Sequence, residues 1–163
     1  MTRPVQISVI GKGTLDEDLA PIAEEVGRRL AEAGAVVVCG GLGGVMEATA
    51  RGAAAAGGTV VGVIPSSQAE DANPHCTHVI ATGIGHARNL AVVSSGNAVI
   101  AIGGEWGTLS EIAYARELGR AVVAISSWQL SGAGAMSGGP GIDVASDPAA
   151  AVEMALERAG APK

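Results

Sequence analysis

Short runs of β-branched and apolar residues alternate along this chain with segments of helical periodicity. The runs are Val5–Ile10, Val36–Cys39, Thr59–Ile64, His78–Ala81, Ala98–Ile102 and Ala121–Ile125. The intervals hold the helical patterns Asp16–Ala33, a segment ending near Ala56, His86–Ser95, Thr108–Leu118 and a last helix starting at Asp147-Pro148. Strands that alternate with helices and are almost wholly apolar predict a parallel sheet covered on both faces. We therefore expect an α/β fold with a single doubly wound parallel sheet flanked by helices.

Size and composition narrow the class of protein. The 163 residues are expected to form one domain, 1–163, because one domain of a soluble protein typically has about 100–200 residues. The net charge is −6 and aromatic residues make up 2%, so a broad basic face and a base-stacking platform are both lacking. Nucleic acid is therefore not an expected partner. No apolar run reaches the roughly 18 residues of a membrane span, and no signal-peptide pattern is present, so we expect a cytoplasmic protein without membrane contact.

The cysteine and histidine residues do not predict a metal site. Cys76 lies between His75 and His78, but His78 is expected to enter a strand, which disfavours a ligand cluster. Cys39 is expected to be a small buried apolar residue, and both thiols are expected to be reduced. The segment Ser126–Gly141 is rich in glycine and serine and is expected to be a mobile loop.

Three glycine-rich segments follow strands whose carboxyl ends meet at one edge of the predicted sheet. They are Gly11-Lys12-Gly13, Gly40–Gly44 and Gly103–Gly107. Doubly wound sheets bind ligands at this edge, where glycines let backbone amides approach an anion and helix N-termini add partial positive charge. We expect a small phosphate-bearing ligand, whose contacts include Gly11, Lys12, Gly13, Gly41, Gly43, Gly44, Gly103, Gly104 and Gly107. The first segment fits neither a dinucleotide fingerprint nor a Walker A loop, so a plain tight turn explains it equally well.

Glu111 has two explanations on spacing alone. Thr108-x-x-Glu111 matches a capping box, in which both side chains only cap a helix. The alternative is a carboxylate that acts on a ligand, because Arg88 is expected at the same edge of the sheet. An arginine there suits bidentate phosphate binding, although a surface ion pair is its ordinary alternative. Trp106 is equally open: it could stack on a ligand ring, cover the loop or lie in a subunit interface.

At these residues the sequence resembles the Lonely Guy superfamily of Rossmann-like proteins, also called SLOG. The family signature is Pro-Gly-Gly-x-Gly-Thr-x-x-Glu, and the matching stretch here is Gly103-Gly104-Glu105-Trp106-Gly107-Thr108-Leu109-Ser110-Glu111. The family's Arg-Lys pair corresponds to Arg88-Asn89, and the similarity runs from about Gln6 to Ser127. The segments Ala87-Arg88-Asn89 and Gly107-Thr108-Leu109-Ser110-Glu111 are most similar to those of the branch of molybdenum cofactor carrier proteins.

The resemblance implies two classes of function. Carrier proteins hold the molybdenum cofactor, a pterin phosphate, without turning it over. Phosphoribohydrolases release the free base from a nucleoside 5′-monophosphate, and there Arg88 and Glu111 would be the catalytic pair. Arg88 would orient the nucleotide, and Glu111 would stabilise the oxocarbenium-like charge on the ribose. The amides of Gly104, Gly107 and Thr108 would bind the phosphate. Members are usually dimers or larger, so the resemblance implies a homodimer or a higher homo-oligomer.

The departures from the family pattern reduce positive charge at the expected site. Gly103 replaces the proline of the signature, Glu105 replaces its second glycine, and Asn89 replaces the lysine of the Arg-Lys pair. One lost cation and one added carboxylate both weaken anion binding, unless Glu105 points away. We keep Asn89 as an expected ligand contact and expect a cofactor carrier first, with a phosphoribohydrolase as the alternative.

Overall fold

A computed structural model describes residues 3–14, 16–128 and 141–160, and the strands within these ranges form one parallel sheet. The strands are β1 Gln6–Gly11, β2 Val36–Cys39, β3 Val60–Ile64, β4 His78–Ala81, β5 Ala98–Ile102, β6 Ala121–Ile125 and β7 Ile142–Val144. The α-helices are α1 Ala20–Glu32, α2 Val45–Ala55, α3 Arg88–Ser95, α4 Trp106–Glu117 and α5 Pro148–Gly160. The order across the sheet is β4-β3-β2-β1-β5-β6-β7, and every pairing is parallel. The predicted doubly wound, Rossmann-like α/β fold is confirmed.

Alternate residues of the central strands pack on opposite faces of the sheet. Ile7 and Val9 of β1 pack with α1, α2 and α5, whereas Ile10 packs with α3 and α4 on the other face. Ser8 also points to the second face, where its hydroxyl donates a 2.6 Å hydrogen bond to Val92 O and so remains satisfied although buried. Burial on both faces is the reason that these strands are apolar. Among the described helices, none is long and apolar enough to cross a membrane.

The two edge strands differ from the central ones. Most residues of β4 are exposed, because this strand has a neighbour on one side only. The sequence did not predict β7, a strand of three residues that pairs with β6. It follows the segment Ser126–Gly141, which was expected to be a mobile loop and of which residues 129–140 lie outside the described residues.

Three helices begin at other residues than predicted. One is α3, which begins at Arg88, two residues after the predicted His86, because Gly85–Ala87 forms a 3₁₀ turn. Helix α1 begins at Ala20, so the acidic residues at 16–18 precede the helix and do not open it. The amides of Leu19 and Ala20 donate to Asp16 O at 3.0 and 3.1 Å, which forms a turn, and a proline then occupies the first helical turn. Helix α4 begins at Trp106, two residues earlier than predicted. Helix α5 begins as predicted, with Asp147 Oδ1 accepting a 2.9 Å bond from Ala150 N.

Candidate functional site

A cavity lies at the carboxyl edge of the sheet, between the ends of β1 and β5. The chain leaves β1 toward β2 on one side and later adds β5 on the other, so the strand order changes direction at this point. The cavity has a volume of about 220 Å³. It is lined by Val9, Ile10, Gly11, Lys12, Gly13, Gly40, Leu42, Met46, His86, Arg88, Asn89, Glu105, Gly107, Thr108 and Glu111. Ligands of doubly wound sheets bind at such a switch point, which makes this cavity the candidate site.

Arg88 is the first residue of α3, and its guanidinium packs on the glycine loop that follows β2. The residue is only 7% exposed. Its Nη2 donates to Gly40 O at 3.3 Å, and its Nη1 donates to Asn89 Oδ1. A Cβ atom at Gly40 would lie 2.8 Å from Nη2, so the glycine provides the space for the guanidinium. The buried Nε has no hydrogen-bond partner within the described part of the chain.

Glu111 lies in the second turn of α4 and is also 7% exposed. Burial raises the pKa of Glu111 from 4.5 to about 7, and the charge of Arg88 partly opposes this rise. Burial likewise lowers the pKa of Arg88, against the opposing effects of Glu111 and Cys39. Both described hydrogen bonds of Arg88 go to other partners, so the two groups interact through space. The cavity therefore contains a buried arginine and a carboxyl group that changes its charge near neutral pH.

The capping-box explanation of Glu111 is wrong. Because α4 begins at Trp106, Glu105 is its N-cap, and the Glu105 side chain makes no capping hydrogen bond. A capping box requires the acidic residue three positions after the N-cap, where Thr108 lies. Glu111 is one turn further along and points into a buried environment, so helix capping does not explain its presence there.

Lys12 and Glu105 face each other at the cavity. Lys12 Nζ lies 3.1 Å from Asp16 Oδ2 and 3.5 Å from Glu105 Oε1. The hydrogen bond to Asp16 raises the pKa of Lys12, so this side chain stays charged. Glu105 therefore does not point away from the site, and its carboxylate offsets part of the attraction that Lys12 exerts on an anion.

The glycines expected to contact the ligand fall into three places. Those that line the cavity are Gly11, Gly13 and Gly107, together with Lys12, Asn89 and Thr108. Gly103 and Gly104 line a neighbouring depression that also includes Ser126, Ser127 and Trp128. Gly41, Gly43 and Gly44 are not among the described residues that line either one.

The loop after β2 supports the loop after β1. Gly44 has a φ of 67°, and a Cβ there would overlap Lys12 O and lie 2.6 Å from Gly13 C. The amide of Val45 donates to Lys12 O at 3.0 Å, so the start of α2 holds the Lys12-Gly13 backbone in place. The glycine richness of this loop thus reflects close packing of two loops, and Gly40 is its one glycine among the described residues that line the cavity.

Seven lining residues were not predicted as contacts: Val9, Ile10, Gly40, Leu42, Met46, His86 and Glu105. Gly40 could have been found, because it is the first residue beyond the carboxyl end of β2. His86 lies in the 3₁₀ turn Gly85–Ala87, directly before Arg88. Leu42 and Met46 give no signal, because an apolar residue at a cavity and one in the core look alike in a sequence.

Trp106 packs against Trp128 on the outside of the loop that follows β5. The ring centroids are 5.5 Å apart and the ring planes form an angle of 36°. Trp128 Nε1 donates to Glu105 O at 3.3 Å, and Trp106 remains 77% exposed. The pair therefore covers the outside of this loop beside the cavity.

Metal-ligating residues do not cluster in the described ranges, where no group of three or more His, Cys, Asp or Glu side chains could hold an ion. Cys39 is buried, as predicted, and both cysteines are free thiols.

Comparisons with known proteins extend these observations. An uncharacterized protein of Archaeoglobus fulgidus is 47% identical over 121 residues, which are 74% of this chain and 80% of that protein. The solved structure of the molybdenum cofactor binding protein from Rippkaea orientalis is 30% identical with a TM-score of 0.86, covering 96% of this chain and 98% of that chain. The molybdenum cofactor carrier protein from Chlamydomonas reinhardtii is 29% identical with a TM-score of 0.81, covering 95% and 98% respectively. The sequence model of the SLOG cluster4 family matches residues 4–152, and the chain therefore belongs to this family.

Proposed function

We propose that the protein binds a phosphorylated pterin of the molybdenum cofactor type and holds it without chemical change. The observation that carries this proposal is the buried Arg88, which lines a cavity formed at the switch point of the sheet. Two solved structures of similar sequence and nearly full mutual coverage are those of a molybdenum cofactor binding protein and a molybdenum cofactor carrier protein.

The residues at the cavity fit a phosphate group. The N-cap residue Glu105 makes no capping hydrogen bond, so the amides at the first turn of α4, which include Gly107 and Thr108 of the cavity lining, suit an anion. Arg88 and Lys12 supply positive charge to the same cavity. We infer that the phosphate lies between the start of α4 and Arg88, with Gly11 and Gly13 allowing close approach of the β1 loop.

The charge balance favours binding over turnover. Glu105 offsets Lys12, and Arg88 remains the buried cation of the lining. A carboxyl with a pKa of about 7 is only about half ionised at neutral pH, whereas stabilising an oxocarbenium ion requires the ionised form. A neutral Glu111, by contrast, does not repel an anionic ligand.

A titration tests the proposal, and the tryptophans provide the signal. The chain has two tryptophans, Trp106 and Trp128, which pack together beside the cavity. We expect a saturable change of their fluorescence on addition of a purified molybdopterin-type ligand, and recovery of the ligand unchanged by chromatography. Arg88→Ala is expected to weaken this binding, whereas Tyr114→Ala, an exposed aromatic elsewhere on α4, serves as the control. Absence of saturable binding by the folded wild-type protein would contradict the proposal.

The second candidate is a nucleoside 5′-monophosphate phosphoribohydrolase. It is favoured by one observation: the buried Glu111 and Arg88 line the same cavity, and Glu111 is not a cap. The test is incubation with AMP, GMP, CMP and a cytokinin ribotide, followed by chromatography of the free base. Base release that disappears in Glu111→Gln would establish the hydrolase and refute a carrier that performs no chemistry.

The proposal includes a cytoplasmic homodimer or higher homo-oligomer that does not bind nucleic acid. The net charge of −6 supports the last point, because nucleic-acid affinity depends mainly on cationic contacts to phosphates. Sedimentation measures the oligomeric state, and a gel shift at low salt with single-stranded DNA tests whether the protein binds nucleic acid.

A further inference from the structure

The two cysteines of the chain lie side by side behind the cavity. Cys39 is the last residue of β2 and is paired in register with Gly62 of β3. Registered neighbours in a parallel pair project their side chains from the same face of the sheet. Gly62 has no side chain, and Cys76 fills that space: a Cβ at Gly62 would lie 2.5 Å from Cys76 Sγ. The Cys76 sulfur therefore lies next to the Cys39 side chain, and both belong to one packed cluster.

The two thiols differ in access and acidity. Cys39 is fully buried, whereas Cys76 is partly exposed. Their mutual hydrogen bond lowers the pKa of Cys76 and, together with burial, raises the pKa of Cys39. The side chain of Asn73 further lowers the pKa of Cys76. A thiol that solvent reaches and that ionises more readily is the nucleophile of such a pair, and its buried neighbour attacks second.

We propose that Cys39 and Cys76 are a redox-active pair that closes reversibly to an intramolecular disulfide. The co-reactant is a low-molecular-weight disulfide. The Cys76 thiolate attacks one of its sulfurs, breaks the S–S bond, forms a mixed disulfide and releases the first small thiolate. Cys39 then attacks Cys76 Sγ, displaces the second small thiolate and gives up its own proton. Two protein thiols are oxidised, one small disulfide is reduced to two thiols, and the two protein protons pass to those thiols.

The disulfide would join the end of β2 to the segment around Asn73, which holds the loop Gly40–Gly44 in place. Asn73 N donates to Gly41 O at 2.8 Å, and Asn73 Nδ2 donates to Leu42 O at 2.9 Å. The residue next to Cys39 is Gly40, on which the Arg88 guanidinium packs. A Cys39–Cys76 disulfide would therefore replace a noncovalent contact by a covalent one directly behind Arg88. This inference does not depend on the identity of the ligand.

The test uses the full chain and glutathione disulfide. Reduced protein is equilibrated with excess glutathione disulfide under native conditions, treated with an alkylating reagent in denaturant, and analysed by intact mass and peptide mapping. We expect wild-type protein with no alkylated cysteine, no bound glutathione and a cross-linked peptide joining the two positions. Cys39→Ser should stop at a mixed disulfide with one glutathione on Cys76. Cys76→Ser should keep Cys39 as a free thiol that the alkylating reagent then labels.

Three outcomes would overturn the proposal. The first is a wild-type protein that keeps both thiols free, and the second is one that accumulates glutathione adducts without a cross-link. The third is an equal yield of the cross-link when oxidation is carried out in denaturant, because the native contact would then not direct the reaction. Circular dichroism of both serine variants verifies that they are folded before they are compared.

Discussion

Replacing Glu111 with glutamine should stabilise the protein, and the gain should appear only as the pH rises. The pKa of this carboxyl is raised from 4.5 to about 7 in the folded protein, mainly by burial. The folded state therefore binds the proton more tightly than the unfolded state, and between pH 4.5 and 7 rising pH removes stability. Below this window the carboxyl is neutral in both states and resembles a glutamine.

The size of the effect follows from the same two values. The rise of the pKa from 4.5 to about 7 means that folding disfavours the ionised form of Glu111 by about 3 kcal/mol, at about 1.4 kcal/mol per pKa unit. We expect the variant and the wild type to have similar free energies of unfolding at about pH 4. At about pH 8 the variant should be more stable by about 3 kcal/mol, because glutamine avoids the burial of a charge.

Urea denaturation of both proteins at several pH values between about 4 and 8 measures this difference directly. Comparing the two proteins at each pH removes the titration of all other groups. Glu117→Gln, an exposed residue near the other end of α4, is the matched control for loss of a carboxylate from the same helix. A difference for Glu111→Gln that is constant across this range would refute the reasoning, as would a less stable variant at the highest pH.

Three further changes test the site. Arg88→Lys keeps a positive charge but loses the planar fork, so affinity for the phosphorylated ligand should fall about tenfold or more in a fluorescence titration; equal affinity would exclude bidentate binding. Glu105→Gln removes the carboxylate 3.5 Å from Lys12 Nζ and should raise that affinity by about two- to tenfold at low salt. This gain should shrink as ionic strength rises, and a salt-independent gain would exclude an electrostatic cause. Gly44→Ala places a side chain at a φ of 67° against Lys12 O and should lower the free energy of unfolding by roughly 2–4 kcal/mol, whereas a change below the error of urea denaturation would show that the loop relaxes.

The central strands could be predicted because a strand that is buried on both faces must be apolar along its whole length. β2, β5 and β6 are covered on both faces, so each is a continuous apolar run with the predicted bounds. β7 could not be predicted in this way. Its three residues include Asp143, and its strand geometry comes from pairing with β6, which nothing in the local sequence indicates.

The candidate site was predictable in outline because a parallel sheet collects the carboxyl ends of its strands at one edge. This is why Arg88 and Glu111, which follow different strands, line one cavity. The start of α4 was misplaced because glycine has a low helix propensity, so Gly107 suggested a start at Thr108. In the folded chain the helix starts before that glycine, at Trp106, which packs on Trp128. The pairing of Lys12 with Glu105 is a long-range contact for which the sequence has no local signal.

The protonation of Glu111 separates the two proposed functions, because they make opposite demands on it. Holding a phosphorylated ligand beside Arg88 is easiest when Glu111 is neutral, since a second anion in a buried cavity repels the first. Stabilising an oxocarbenium-like ribose, the role that the family resemblance implies for Glu111, requires the ionised carboxylate, which burial disfavours at and below a pH of about 7. A site selected for turnover would gain from a hydrogen bond that keeps the carboxylate charged, and within the described residues Arg88 directs its hydrogen bonds to Gly40 and Asn89 instead. The same departure that removes a lysine from the family pattern at Asn89 thus gives Arg88 a partner other than Glu111, and this arrangement favours a protein that holds its ligand intact.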